Sequence, residues 1–223
     1  MDERYVRNLP ALSAEEQRTL AEKRVLILGC GGLGGFLCEY LVRLGVGEIT
    51  AADPDRFEVS NLNRQILSSA SLLGQPKALA AKERAEAINP AVRFHAVCAA
   101  FCAENAAELL AGADLVLDAL DNAADRLTLE DACTQAGLTF VHGAIHGWTA
   151  QVAVVPPGSG MLHRLYRAEA VDADKACLVF TPALCAAIQA AEAVKLLTGR
   201  PSDLSGQLLM ADLLTMDTVI IAP

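Results

Sequence analysis

Aromatic residues make up only 4% of this 223-residue chain, so its core has to be assembled from Ala, Leu, Val and Ile. No Cys-x-x-Cys pair occurs among the seven cysteines (Cys30, Cys38, Cys98, Cys102, Cys133, Cys177 and Cys185). A zinc ribbon or a thioredoxin-type redox pair therefore has no support. The odd number and scatter of these cysteines read as reduced thiols, most of them small core residues. No apolar run approaches the ~20 residues of a membrane span, because Gly, Asp and Arg interrupt each one. The first residues, Met1-Asp-Glu-Arg-Tyr5, lack the apolar stretch of a secretory signal, so a cytoplasmic location is expected. Positive charge is also short. Eighteen Lys and Arg face 27 Asp and Glu, for a net charge of −9, which opposes a long phosphate-backbone footprint and makes DNA a poor partner.

What the chain does have is 53% hydrophobic residues, enough for a substantial core. Strand-length apolar runs alternate with helical stretches, the pattern of a mostly parallel sheet covered on both faces. Strands are expected at 25–28, 49–52, 92–97, 115–118 and 138–141. Helices are expected at 33–44, about 76–88, 104–110, 122–136 and 182–197. A strand at 151–155 follows Gly143 and Gly147 with no intervening helix, which implies an antiparallel return. Residues 156–180 carry Pro156-Pro157-Gly158-Ser159-Gly160 and no clean periodicity, so they read as a long crossover connection. Two last strands are expected near 207–211 and 218–222. The fold class is α/β, a Rossmann-like doubly wound sheet with antiparallel C-terminal strands, in one domain spanning 1–223.

Two signals for handling phosphate follow each other. Gly29-Cys30-Gly31-Gly32-Leu33-Gly34 lies between a strand and a helix, where glycines let backbone amides approach a phosphate and the helix N-terminus adds positive potential. Asp53, 19 residues beyond Gly34 at the end of the second strand, is placed to bind ribose hydroxyls. These residues alone suit NAD, FAD, S-adenosylmethionine or ATP. Ser60-Asn61-Leu62-Asn63-Arg64-Gln65 and Lys77 narrow the choice. A pyrophosphate is held largely by backbone amides, whereas a triphosphate puts more charge farther from the turn, where Arg64 and Lys77 would neutralise it. Each of these residues alone would also suit a solvated loop; the cluster argues for a nucleotide. Asp118-Ala119-Leu120-Asp121-Asn122 closes the fourth strand, so Asp121 would enter the same crevice and hold Mg²⁺ against phosphates. Asp121 or Asn122 would also suit an N-cap, and Arg126 a structural partner for an acid.

Arg4-Tyr5-Val6-Arg7-Asn8, the Gly29–Gly34 loop, Asp53-x-Asp55, Ser60–Gln65, Gly74-Gln75-Pro76-Lys77, Asp121-Asn122 and Gln189-x-x-Glu192-x-x-Lys195 through Gly199 together resemble the ThiF/MoeB/HesA family. Its members are the prokaryotic relatives of ubiquitin-activating E1 enzymes. The resemblance runs from about residue 4 to 155 and resumes over 182–199. It implies adenylation, with ATP and Mg²⁺, of the C-terminal glycine carboxylate of a small ubiquitin-fold sulfur carrier ending in Gly-Gly, serving thiamine, molybdopterin or related biosynthesis. Carried over motif by motif, Asp53 and Asp55 would face the ribose side, and Asn61, Arg64, Gln65, Lys77 and Asn122 would line the nucleotide. Asp121 would be the metal-side carboxylate. Arg7 would reach the ATP of a partner protomer, which implies a homodimer.

The chain departs from that pattern in two places. Many relatives hold a structural zinc with two Cys-x-x-Cys pairs. Here the stretch reads Gly160-Met161-Leu162-His163-Arg164-Leu165-Tyr166, so no zinc is expected and packing has to replace it. A crossover-loop cysteine often forms a thioester or persulfide in the family; Cys177 is the candidate by position, with Lys175 beside it, and a buried apolar thiol is the other reading. His142 and His146 read as structural or substrate-lining. Other functions stay open from the residues. They are activation of a small-molecule or tRNA-borne carboxylate, a non-catalytic module that binds ATP or a partner, and, weakest, a nicotinamide oxidoreductase.

Overall fold

A computed structural model describes residues 2–166 and 176–222. Strands β1 (Arg24–Leu28), β2 (Glu48–Ala52), β3 (Arg93–Val97), β4 (Leu115–Asp118) and β5 (Phe140–His146) run parallel. Strands β6 (Thr149–Val155), β7 (Leu208–Asp212) and β8 (Asp217–Ile221) extend the same sheet antiparallel, in the order β3-β2-β1-β4-β5-β6-β7-β8. The expected doubly wound sheet with antiparallel C-terminal strands is what forms.

The period-2 alternation of side chains builds two apolar layers. Val25 and Ile27 of β1 and Leu115 and Leu117 of β4 point to one face. There they meet helices α1 (Ala14–Leu20), α2 (Gly32–Leu44), α3 (Lys77–Ile88) and α7 (Phe180–Leu197). Leu26, Leu28 and Val116 point to the other face, against α4 (Ala103–Leu110), α5 (Ala123–Ala136) and the short α6 (Met161–Leu165). Strands buried on both faces explain why their sequences read as continuous apolar runs.

Four elements differ from the sequence reading. Helix α1 was not expected, although Ser13 and Glu16 form a reciprocal capping box at its start, a signal visible in the sequence. Strand β5 continues through Gly143 to His146 rather than stopping near 141. It does so because a Cβ at Gly143 would lie 2.4 Å from the Gln189 side chain; the bare backbone makes room for α7. The 156–180 connection is not wholly irregular, since α6 folds within it on the apolar pair Met161 and Leu162, both fully buried. Helix α7 begins at Phe180, two residues before Pro182; proline is tolerated in a first turn, where its missing N–H has no intrahelical partner. Residues 167–175 of the connection, Lys175 included, lie outside the described residues.

By length and composition α7, with a mean hydropathy of 1.3 over 18 residues, would pass for a membrane span, the one such helix among the described residues. Its packing against α2, β5 and β6 and its buried Gln189 and Glu192 identify it as a core helix. Gln189 Nε2 donates to the carbonyls of Asp118 (2.9 Å) and Val141 (3.0 Å), tying α7 to the carboxyl ends of β4 and β5.

Where β1 meets α2, a Cβ on Gly34 would stand 1.8 Å from the Gly29 carbonyl oxygen. A Gly34→Ala substitution must therefore push the helix off the strand, at a cost of about 1–3 kcal/mol or more. Urea unfolding should show a lowered midpoint; an unchanged midpoint would mean the contact is not tight.

Candidate active site

The strand order reverses between β1 and β4, and the crevice at the carboxyl ends of these strands is where open α/β sheets bind ligands. Gly29 leaves β1 with φ +99°, and a Cβ there would strike the Ala119 carbonyl oxygen at 2.5 Å. The loops after β1 and β4 are therefore in contact. Gly31 caps α2 without any side-chain hydrogen bond, so its first amides remain for a ligand. Where side chains would project from Gly31 and Gly32, Gln65 Nε2 and Arg64 Cγ stand 3.5 and 3.6 Å away. The polar loop of the sequence thus lies across the glycine turn.

Asn61 shapes that loop. Its Oδ1 accepts from the Glu58 amide (3.0 Å) and its carbonyl from the Gln65 amide (3.0 Å). Arg64 Nη1 donates to the Ser60 carbonyl and to Asn63 Oδ1, both at 2.9 Å. Gln65 is buried and its Oε1 has no hydrogen-bond partner. An orphaned buried acceptor beside an open glycine cradle suits a bound group that brings its own donors.

Asp53 is buried. Its Oδ2 accepts from the Cys30 amide (2.6 Å) and its Oδ1 from the Asp55 amide (2.8 Å). Burial pushes its pKa up, opposed by those two hydrogen bonds and by Lys77. Each carboxylate oxygen keeps a second lone pair, the acceptors that ribose hydroxyls need. The segment 74–77 is pinned alongside by Phe57 N to Gln75 O (3.0 Å) and Lys77 N to Asp55 O (2.9 Å). This places Lys77 Nζ 2.8 Å from Asp55 Oδ2, with the lysine side chain 8% exposed and the aspartate 63%. A buried ammonium whose one ion-pair partner among the described residues reaches out to solvent is positioned to exchange that partner for phosphate.

At the end of β4, Asp118 Oδ1 accepts from the Leu120 amide (2.9 Å). Asn122, not Asp121, caps α5, accepting from the Asp125 amide (2.9 Å). Asp121, in the loop that follows β4, is exposed. Arg126 is the structural partner of an acid, with Nε 3.5 Å from Asp118 Oδ2, and its Nη2 also donates to the Leu120 carbonyl (2.5 Å). His142 is fully buried between Asp118 (2.6 Å at Nδ1) and the Tyr166 hydroxyl (3.1 Å at Nε2), whereas His146 is exposed. Sequence reasoning passed over Tyr166 and Gln151. Nothing in their local sequence marks them, since β5–β6 pairing brings Gln151 near His142 and the end of α6 then delivers the Tyr166 hydroxyl to both.

The remaining predicted residues lie elsewhere. Arg7 sits on a six-residue 3₁₀ helix, Glu3–Asn8. That helix is anchored by Tyr5, whose ring fills the space beside Gly45 and whose hydroxyl accepts from Asn89 Nδ2 (2.7 Å). Arg7 itself is exposed and makes no hydrogen bond or ion pair among the described residues. Cys177 is half-buried, and its carbonyl is 3.4 Å from Asn63 Nδ2. Burial raises its thiol pKa and Arg64 opposes the rise.

A profile of the ThiF family matches residues 4–222. The chain is 40% identical to the sulfur carrier protein adenylyltransferase of Thermus thermophilus, over 95% of its length and 83% of the relative's. It is 37% identical to the molybdopterin-synthase adenylyltransferase of Escherichia coli, covering 89% and 82%. Among solved structures, Escherichia coli MccB with ATP shares the fold at a TM-score of 0.86 and 20% identity, over all of this chain and 72% of that one.

Lys77→Met is expected to weaken ATP binding in calorimetry by roughly tenfold or more, about 1.4 kcal/mol, with the fold intact. An unaltered Kd would reduce Lys77 to a partner for Asp55. For Cys177 the sign is also set. A raised pKa leaves little thiolate near neutrality, so alkylation should be slow at pH 7 and accelerate through pH 9, the ordinary thiol value. Fast labelling that has already levelled off at pH 7 would mean an activated nucleophile.

Proposed function

Because this chain belongs to the ThiF family and is an adenylyltransferase, we propose that it adenylates the C-terminal glycine carboxylate of a small ubiquitin-fold sulfur carrier ending in Gly-Gly. The observation that carries this reading is the convergence of Arg64, Gln65, Lys77 and Asp53 on one glycine turn, with Asp121 at the neighbouring strand end. The carrier carboxylate attacks the α-phosphorus of ATP, the bond to the bridging oxygen breaks, and pyrophosphate leaves with its electron pair. The product is an acyl-adenylate. No general base is needed, since a terminal carboxylate is already ionised near neutral pH.

The chain's task is to hold two anions together and to stabilise the leaving group. The amides at the start of α2, Lys77 and Arg64 supply that charge, and Asp53 orients the ribose. Among the described residues no group of three His, Cys, Asp or Glu stands ready to hold a metal. A magnesium ion bound chiefly through phosphate oxygens, with Asp121 as a protein ligand, suits that donor set. Such an ion would neutralise charge developing on the departing pyrophosphate. Arg7, exposed and without a side-chain partner among the described residues, would complete the cationic wall in trans within a homodimer, and thiamine or molybdopterin biosynthesis would be the pathway class.

The test is isotope exchange between pyrophosphate and ATP in the presence of a carrier ending in Gly-Gly. Exchange should need Mg²⁺ and fall by about a hundredfold or more in Asp121→Ala. No exchange with any such carrier, from folded protein, would reject the reading. At an ATP concentration where Arg7→Ala and Lys77→Met are each inactive, mixing them should restore about a quarter of the activity, because half the dimers then hold one intact site of two. No recovery after subunit exchange would place Arg7 outside the partner's site.

A further inference from the structure

The buried polar group behind β4 has a directed hydrogen-bond order. The Tyr166 hydroxyl oxygen accepts from Gln151 Nε2 at 2.9 Å and from Arg126 Nη1 at 3.2 Å. With both lone pairs engaged, its own proton points to His142 Nε2, 3.1 Å away. His142 must then carry its hydrogen on Nδ1 and donate it to Asp118 Oδ2 at 2.6 Å. Burial holds His142 neutral by lowering its pKa and pushes the Tyr166 phenol up to about 12, so neither group is poised to exchange protons.

The two ends of this chain of bonds converge on one residue, Leu120, and on the peptide groups that flank it. Asp118 holds the Leu120 amide and Arg126 holds the Leu120 carbonyl, so the residue before Asp121 is gripped on both sides. Arg126 also reaches the Gly143 carbonyl (3.4 Å) and lies 5.4 Å over the Tyr166 ring. Tyr166 is where strands β4, β5 and β6 and helix α5 are tied to the segment that follows α6.

We propose that Tyr166 is a positioning residue for the adenylation centre: through His142–Asp118 on one side and Arg126 on the other, its hydroxyl sets the Leu120 peptide and thereby the placement of Asp121. This rests on the adenylation reading for its catalytic consequence, but not for its geometry. Loss of the hydroxyl strands His142 Nε2 and releases Arg126 Nη1, so the grip on Leu120 loosens while the apolar ring keeps its packing.

Tyr166→Phe tests this with the full chain. In imidazole ¹⁵N spectra of the wild type, His142 should show a protonated Nδ1 and a hydrogen-bonded Nε2. The variant should lose the hydrogen-bonded character of Nε2 and shift the backbone amide of Asp121. In carrier-dependent pyrophosphate exchange, kcat should fall roughly tenfold or more with KM for ATP nearly unchanged. Gln151→Met, which removes one donor but keeps the bond to His142, should lose less. An unmoved Asp121 amide, or an unchanged kcat, overturns the proposal. So does a parallel loss of kcat, ATP affinity and thermal stability in both variants, which marks a merely structural role. If the wild type shows no exchange at all, the adenylation reading fails by itself, and the Asp121 amide shift still decides whether Tyr166 sets that peptide.

Discussion

Everything at the crevice depends on the contact between Gly34 and the Gly29 carbonyl, where α2 starts directly on the end of β1. No side chain fits between helix and strand, so the first free amides of α2 face the line along which β1 and β4 part. Peptide dipoles then place positive potential at the same point. The Asp53 and Ala119 loops are drawn to that point by ordinary backbone bonds, Gly29 N to Ala52 O at 2.8 Å and Ala119 N to Leu28 O at 2.9 Å. Three strand ends are thereby registered within hydrogen-bond distances before any ligand arrives.

On the proposed reading, a chain of net charge −9 has to keep Lys77 and Arg64 from being consumed by its own acids. Here each is held by a weak or exchangeable partner. Lys77 leans on Asp55, a solvent-exposed carboxylate, where ion pairs gain little in high dielectric. Arg64 is engaged by a carbonyl and an amide oxygen instead of a carboxylate. A triphosphate bound as proposed would exchange with partners of this kind rather than break a buried ion pair. Asp53 is the opposite case, a carboxyl whose burial disfavours its charged form; its two amide donors offset that cost, and ribose hydroxyls would offset more.

The sequence made the layers and the cleft legible because both follow local rules. Apolar periodicity located the strands of the sheet, and the spacing from Gly29 to Asp53 placed the first half of the site. Helix α1 was missed although Ser13 and Glu16 carried a capping signal, since a seven-residue helix has too little periodicity to stand out. The extension of β5 was hidden for a different reason. Gly143 reads as a breaker, and only the Gln189 side chain arriving from α7 shows why a glycine strand is required there. Tyr166, Gln151 and His142 come from three elements and meet at one hydroxyl, and no one-dimensional pattern encodes such a meeting.

Helix α5 explains how the segment after β6 is held by packing and polar contacts of the chain itself. Asn122, Arg126, Glu130 and Thr134 recur every fourth residue, one stripe of a helix face. The first caps the helix beside Asp121, and the second clamps Leu120 and meets Tyr166. Glu130, nearly inaccessible, accepts from the His163 amide (3.0 Å) and from Ser159 Oγ (3.3 Å). Thr134 Oγ1 accepts from the Gly158 amide (3.0 Å). Asp131, one residue off the stripe, adds a contact to His163 Nε2 at 2.9 Å, while Met161 and Leu162 seal the apolar side. A carboxylate buried with two donors is costly to uncover, so α6 cannot leave α5 without exposing Glu130 unpaired. The same helix therefore holds the start of the crossover with its later turns and the 120–122 loop with its first.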